Sequence, residues 1–145
     1  MAFSRILASI VLATGCLAQN AFPPVTSQVL AQPDPADWLM WRRTFDAWGY
    51  SPLDRINRGN VANLKLAWSI DLDAAPSQEG TPLVHDGVMY FPNPSDHTLA
   101  LDAATGKLLW EHRRALPEDL GKFVPFPQTN RNLAIYDRLI IDNGA

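Results

Sequence analysis

Residues 100–110 read ALDAATGKLLW, and this stretch decides the fold. A short apolar run over 99–101 leads into a polar turn, and a second apolar run follows it. Gly106 can adopt a positive φ without steric cost, and Asp102 can bond nearby backbone groups, so the spacing predicts a hairpin. Trp110 is larger than a hairpin requires at that position. Its size indicates packing against a part of the protein outside the hairpin.

The composition favours one small domain built from short strands. The 145 residues suffice for a single domain, and 12 prolines spread along the chain oppose long helices. The formal net charge is -3, which leaves no basic face to hold a phosphate backbone. The composition therefore argues against nucleic-acid binding and favours strands joined by turns.

Residues 1–18 are typical of a signal peptide. Arg5 supplies the positively charged start, and the apolar stretch 6–14 is too short to span a bilayer. Ala18 precedes the expected cleavage point. A buried N-terminal helix is the alternative interpretation, but the pattern favours export to the periplasm.

Cys16 is the only cysteine, and it lies inside the predicted signal peptide. Residues 13–16 read ATGC, a weak version of the bacterial lipoprotein cleavage box, so a lipid anchor on Cys16 is an alternative to its removal. In both cases the exported body has no thiol. Disulfides, thiolate metal ligands and cysteine nucleophiles are therefore excluded, as is a haem attached through CxxCH.

The residues before the hairpins divide into three segments. Residues 19–36 contain four prolines and no periodicity, which is typical of a spacer. From Asp37 the sequence becomes rich in aromatic residues and arginines. A helical turn is predicted over 60–64, and a strand of mixed polarity over 64–72.

A second hairpin is predicted at Asp86-Gly87, the dipeptide most typical of a two-residue turn. With the opening stretch it predicts an antiparallel meander. The four strands are expected at 81–85, 88–92, 98–101 and 107–113. The pattern begins again at 132–136 and 139–142, roughly fifty residues later, which is typical of repeat architectures.

A tryptophan recurs at one place in this pattern. Residues 65–68 read KLAW and residues 107–110 read KLLW. A lone meander buries little apolar surface, so repeated meanders stack as the blades of a propeller. We expect Trp68 and Trp110 to dock on the neighbouring blade, in a structural rather than a binding role.

The pattern A-x-D-x-x-T-G-K-x-x-W at 100–110 resembles the tryptophan-docking motif of quinoprotein propellers. The blocks 37–68 and 78–84 are similar to the N-terminal segment of alcohol dehydrogenases that use pyrroloquinoline quinone (PQQ). The resemblance covers residues 37–145. It implies an all-β fold, an incomplete β-propeller with one full four-stranded blade and parts of its neighbours.

Two cofactor-binding residues follow from this resemblance. Glu79 matches the glutamate that contacts PQQ from the loop before the first blade, and Arg131 matches the arginine that binds PQQ near the start of the next. A guanidinium suits a cofactor with three carboxylates. A solvated loop glutamate and a surface arginine are the alternatives. Where many members carry adjacent cysteines, this chain has Pro125 and Phe126, and Phe126 could cover the same cofactor face by stacking.

The resemblance also implies a function. We expect the N-terminal part of a periplasmic enzyme that oxidises alcohols with PQQ and calcium or a lanthanide, and passes electrons to a cytochrome or quinone. The catalytic aspartate and the metal ligands are expected outside these 145 residues, which would then be inactive alone. The alternatives are a propeller scaffold resembling the outer-membrane assembly lipoproteins, for which Cys16 would suit an anchor, and a degenerate gene product.

Three histidines raise the question of a metal site. His85, His97 and His112 are separated by 12 and 15 residues. These spacings fit neither a pair on one helix face nor a compact ligand set. Each histidine is therefore expected to be a polar strand or loop residue.

Overall fold

The computed structural model describes residues 23–72, 78–123 and 131–142. The described residues form six strands and short helices. The strands are β1 (Leu83–His85), β2 (Val88–Asn93), β3 (His97–Asp102), β4 (Leu108–Arg113), β5 (Leu133–Tyr136) and β6 (Leu139–Asp142). The helices are α1 (Ser27–Ala31) and the 3₁₀ turns Val61–Asn63 and Leu120–Lys122.

The strands form two antiparallel sheets. The first has the order β1-β2-β3-β4, and the second pairs β5 with β6. The predicted meander is therefore confirmed, with every strand boundary within two residues of the expected one. The hairpin that should begin the next unit is confirmed as well.

The turns have the geometry that their residues predict. Asp86 and Gly87 have φ values of 48° and 76°, and a type I′ turn requires positive φ at both central positions. Asp137 also has a positive φ, 51°, in the turn between β5 and β6. An aspartate and a glycine adopt this region more readily than most residues, so the local sequence alone selects the turn.

Asp102 organises the turn between β3 and β4. Its Oδ1 accepts hydrogen bonds from the Thr105 hydroxyl at 2.7 Å, from the Thr105 amide at 2.8 Å and from the Ala104 amide at 3.1 Å. These bonds, that of the Thr105 hydroxyl first, lower the pKa of Asp102 below its ordinary value. Gly106 closes the turn with a φ of 72°. The opening stretch is therefore a hairpin, as predicted.

One apolar core joins the two sheets to the segment that precedes them. Strands β1 and β2 of the first sheet both pack beside β5 of the second. The cluster of buried side chains consists of Val25, Leu39, Leu83, Tyr90, Ala100, Leu133 and Ile135. Because it draws on all three parts, the second sheet and the N-terminal segment have fixed places relative to the first.

Part of the segment expected to be a spacer is structured. Val25 is fully buried and exchanges two backbone hydrogen bonds of 2.7 Å with Asp137. Helix α1 follows, capped by the Thr26 hydroxyl, which accepts from the Val29 amide. Residues 23–36 therefore differ from the expectation of a spacer. The prolines lie on either side of α1 and leave room for one turn, while Val25 fills an apolar site that the sequence pattern did not reveal.

The strand expected at 64–72 is not formed. These residues pair with none of the strands in the described part of the chain, and Leu66 is 83% exposed. A pattern of mixed polarity can predict an extended backbone. A β-strand also needs hydrogen bonds to a neighbouring strand, and the pattern within one segment does not identify that neighbour. The helical turn expected at 60–64 is present as Val61–Asn63.

The predicted signal peptide, 1–18, and Cys16 lie outside the described residues. Among the residues that are described, no helix has the length and apolar character needed to cross a bilayer.

Candidate functional site

Glu79 and Arg131, the two residues predicted to bind a cofactor, lie in direct contact. Arg131 Nε donates to Glu79 Oε2 at 2.6 Å, although the residues are 52 positions apart in the chain. The side chain of Arg131 is 59% exposed and that of Glu79 is 43% exposed. The structure therefore brings the predicted pair together at the surface, where both side chains are accessible to a ligand.

The packing of β1 beside β5 explains this meeting. Glu79 lies four residues before β1, and Arg131 lies two residues before β5. The Thr81 amide donates to the Arg131 carbonyl at 3.1 Å, which fixes the two leading segments to each other. Both residues therefore lie at the end of the sheets where β1 and β5 begin, which we call the leading end.

The chemistry of the pair fits a cofactor rich in carboxylates. The bond to Glu79 occupies one of the five N–H donors of Arg131, and a guanidinium binds carboxylates with two parallel hydrogen bonds. Glu79 fixes the orientation of that guanidinium before any ligand arrives. Pro125 and Phe126, which were expected to replace the cysteines over the cofactor, lie outside the described residues.

Further contacts between polar side chains at the leading end were not predicted. His97 Nε2 lies 3.1 Å from Glu111 Oε2, and the Asn93 amide lies 3.0 Å from His97 Nδ1. Thr98 donates to Asp142 at 2.9 Å and so joins β3 to β6. No motif marks these residues, because each contact joins separate strands.

His85 has a different role at the opposite end of β1, which we call the turn end. Its Nδ1 lies 2.8 Å from Asp37 Oδ2, and its Nε2 lies 3.0 Å from the Pro23 carbonyl. Asp37 Oδ1 also accepts from the Asp86 amide at 3.1 Å. Asp37, His85 and the Pro23 carbonyl, here called the clasp, hold the N-terminal segment against the turn between β1 and β2.

The three histidines are placed on strands and have separate surroundings. His85 lies in β1, His97 in β3 and His112 on the exposed strand β4. Within residues 23–72, 78–123 and 131–142, no group of three or more His, Cys, Asp or Glu side chains is arranged to hold a metal ion.

The two tryptophans predicted to dock behave differently. Trp68 Nε1 donates to the Ala103 carbonyl at 3.2 Å, and its ring packs on Gly106 so closely that a Cβ there would lie 2.5 Å from Cε3. Trp110 instead lies beside Tyr90 in its own sheet, with 5.9 Å between ring centroids, and is 43% exposed. The docking prediction therefore holds for Trp68, whereas the contact of Trp110 is within its own blade in the described part of the chain.

The sequence of this chain is similar to those of known proteins. A family model described as the β-propeller domain of PQQ-containing glucose, ethanol and alcohol dehydrogenases matches residues 38–138. The dehydrogenase subunit of an alcohol dehydrogenase (quinone) from Komagataeibacter europaeus is 47% identical over 107 residues, which cover 74% of this chain and 14% of that protein.

Two solved structures resemble the fold. The quinohemoprotein alcohol dehydrogenase ADHIIG from Pseudomonas putida superimposes with a TM-score of 0.74 at 34% identity, covering 81% of this chain and 18% of that one. A europium-containing methanol dehydrogenase superimposes with a TM-score of 0.67 at 29% identity, covering 76% of this chain and 20% of that one. The expected all-β, incomplete propeller is therefore confirmed, and the chain spans less than a quarter of the length of each of these relatives.

Proposed function

The chain belongs to the family of PQQ-containing glucose, ethanol and alcohol dehydrogenase propellers, and from this premise we propose that its protein oxidises an alcohol with PQQ and passes the electrons to a cytochrome or quinone. A relative named alcohol dehydrogenase (quinone) supports the alcohol and the quinone acceptor. Another, named 1-butanol dehydrogenase (cytochrome c), supports the alcohol and the cytochrome acceptor. We propose that the protein works in the periplasm, since Arg5 and residues 6–14 have the pattern of a signal peptide.

The observation that carries the proposal is the contact between Glu79 and Arg131. Bound PQQ supplies the quinone that accepts two electrons from the alcohol. Arg131 donates hydrogen bonds to a carboxylate of this cofactor, and Glu79 holds the guanidinium in place while balancing its charge. The pair therefore binds and orients the cofactor, and we assign it no part in proton transfer.

A metal ion belongs to the same proposal. Calcium or a lanthanide would act as a Lewis acid in the protein, and one structural neighbour is named as a europium-containing methanol dehydrogenase. None of the described residues forms a group suited to hold that ion. We therefore assign the residues of this chain to the cofactor and none of them to the metal.

Binding of PQQ tests the proposal directly. The full-length protein, purified without PQQ, is titrated with PQQ in the presence of Ca²⁺ or La³⁺, and tryptophan fluorescence reports binding. We expect saturable binding that weakens roughly tenfold or more in Arg131→Gln, the loss of about one charge-assisted hydrogen bond. Arg58→Gln, which changes another exposed arginine, is the matched control and should bind as the wild type does.

Two outcomes would contradict the proposal. Absence of saturable PQQ binding with either metal would favour the non-enzymatic scaffold, which has no need of the cofactor. Equal weakening in the Arg131 and Arg58 variants would show that binding follows the overall charge of the protein rather than the pair before β1 and β5.

A further inference from the structure

Gly80 lies between the two residues that hold Arg131, and it has no room for a side chain. A Cβ at this position would lie 2.3 Å from the carbonyl oxygen of Pro92 and 2.9 Å from its Cγ. Its φ lies outside the left-handed region, so backbone torsion does not explain the glycine. The glycine is required because the backbone of this segment passes directly against Pro92.

The obstacle is a fixed part of the sheet. Pro92 lies in β2 opposite Thr98 of β3, and it is among the fully buried residues. Its carbonyl oxygen belongs to the backbone of a paired strand and cannot rotate away as a side chain could. A larger residue at position 80 would therefore displace the segment 79–81 and not the strand.

Glu79 and Thr81, the residues on either side of Gly80, contact the side chain and the backbone of Arg131, respectively. Glu79 accepts from the Arg131 side chain at 2.6 Å. Thr81 donates its amide to the Arg131 carbonyl at 3.1 Å. A displacement at Gly80 would consequently disturb the side chain and the backbone of Arg131 together.

We propose that Gly80 is a positioning residue for PQQ: its close approach to Pro92 places Glu79 and Thr81, and these place the guanidinium of Arg131. The inference rests on the proposed function, because that function is what identifies PQQ as the ligand. The placement itself is a property of this chain without any cofactor, so it can be measured separately.

The test compares two glycine-to-alanine variants in the full chain. Gly80→Ala introduces the Cβ that meets Pro92, whereas Gly121→Ala introduces one with nothing within 4 Å. The first readout is the Nε–H resonance of Arg131 in an NMR spectrum recorded without PQQ. We expect Gly80→Ala to shift this resonance toward its position in Glu79→Gln, and Gly121→Ala to leave it in place.

The second readout is PQQ affinity in the presence of Ca²⁺ or La³⁺. We expect roughly a tenfold or larger loss in Gly80→Ala, the size of one charge-assisted hydrogen bond, and no loss in Gly121→Ala. A shifted resonance in a protein whose wild type does not bind PQQ would overturn the proposed function while leaving the placement intact. An unshifted resonance and unchanged affinity would overturn the role of Gly80.

A second variant tests the same inference if Gly80→Ala does not fold. Pro92→Ala keeps the glycine but removes the ring whose Cγ borders it, so segment 79–81 gains room to move. We expect a smaller shift of the Arg131 resonance in the same direction, with far-UV circular dichroism unchanged. A wild-type resonance in a folded Pro92→Ala protein would overturn the part of the inference that rests on the Cγ contact, because the carbonyl oxygen remains in this variant.

Discussion

The two ends of β1 carry the same chemistry in opposite surroundings. At the turn end, a carboxylate oxygen of Asp37 lies 2.8 Å from His85, 48 residues away. At the leading end, a carboxylate oxygen of Glu79 lies 2.6 Å from Arg131, 52 residues away. The side chains of the first pair are 7% and 9% exposed, whereas those of the second are 43% and 59% exposed.

This difference in exposure separates a structural contact from a binding contact. Removal of one partner from a buried pair leaves polar groups without water or protein partners, and typically costs about 3–5 kcal/mol. An exposed pair contributes about 0–1 kcal/mol, because water replaces either partner. The turn end is therefore suited to hold the N-terminal segment on the blade, and the leading end can exchange water for a ligand at little cost in stability.

The largest effect is expected from Asp37→Ala. This change removes the buried carboxylate that contacts Nδ1 of His85 and accepts a hydrogen bond from the amide of Asp86. We expect the free energy of unfolding to fall by about 3 kcal/mol in urea denaturation. Asp71→Ala, which removes an exposed carboxylate, is the control and should change it by less than about 0.5 kcal/mol. Similar small losses of unfolding free energy in both variants would show that the buried contact at the turn end stabilises the fold no more than an exposed carboxylate does.

Alkaline pH provides a second test of burial, in the apolar core to which Tyr90 belongs. Burial first, and then the charge of Asp86, raise the pKa of Tyr90 to about 12. An unfolded tyrosine ionises near pH 10, so the protein should lose stability as pH rises from about 10 to 12, by no more than about 3 kcal/mol. Below pH 10 the phenol is neutral in both states and has no such effect.

Tyr90→Phe isolates this contribution. The variant should show a flatter decline of the unfolding free energy above pH 10, while absorbance at 295 nm should show one tyrosine fewer titrating at high pH in the folded protein. An identical alkaline decline in the variant and the wild type would mean that Tyr90 is not the group responsible.

The docking of Trp68 is expected to have a smaller effect. Gly106 has a φ of 72° and meets the Trp68 ring, whereas Gly87 has a φ of 76° with open space around it. Alanine is strained at both positions by about 1–2 kcal/mol, but only at Gly106 does it also displace a ring. Gly106→Ala should therefore lower the free energy of unfolding by about 1–2 kcal/mol more than Gly87→Ala. Equal losses in the two variants would show that docking adds nothing beyond turn geometry.

The sequence predicted the parts of the fold that depend on neighbouring residues. Asp86-Gly87 and the turn that Asp102 organises are selected by side chains within a few positions, and both form as expected. The strand expected at 64–72 does not form, because extended backbone becomes a strand only beside another edge. A pattern within one segment carries no information about that edge.

Contacts over long separations were missed for the same reason. Nothing in the sequence joins Asp37 to His85, or marks Val25 as a core residue in a segment with four prolines. Glu79 and Arg131 were identified through resemblance to a family, and their direct pairing emerged only when β1 and β5 were placed side by side. Their role toward PQQ stays a prediction.

Glu79→Gln should have the smallest effect on stability. The exposed pair is screened by water, so the free energy of unfolding should fall by less than about 1 kcal/mol, and less still at high salt. The same change should weaken PQQ binding, because the guanidinium of Arg131 loses the carboxylate that orients it. Together, the free energy of unfolding and the PQQ affinity of this variant decide whether the pair stabilises the fold or orients Arg131 for the cofactor. A loss of stability comparable to that of Asp37→Ala, with PQQ affinity unchanged, would make the pair at the leading end a second structural clasp and would remove Glu79 from the proposed cofactor site.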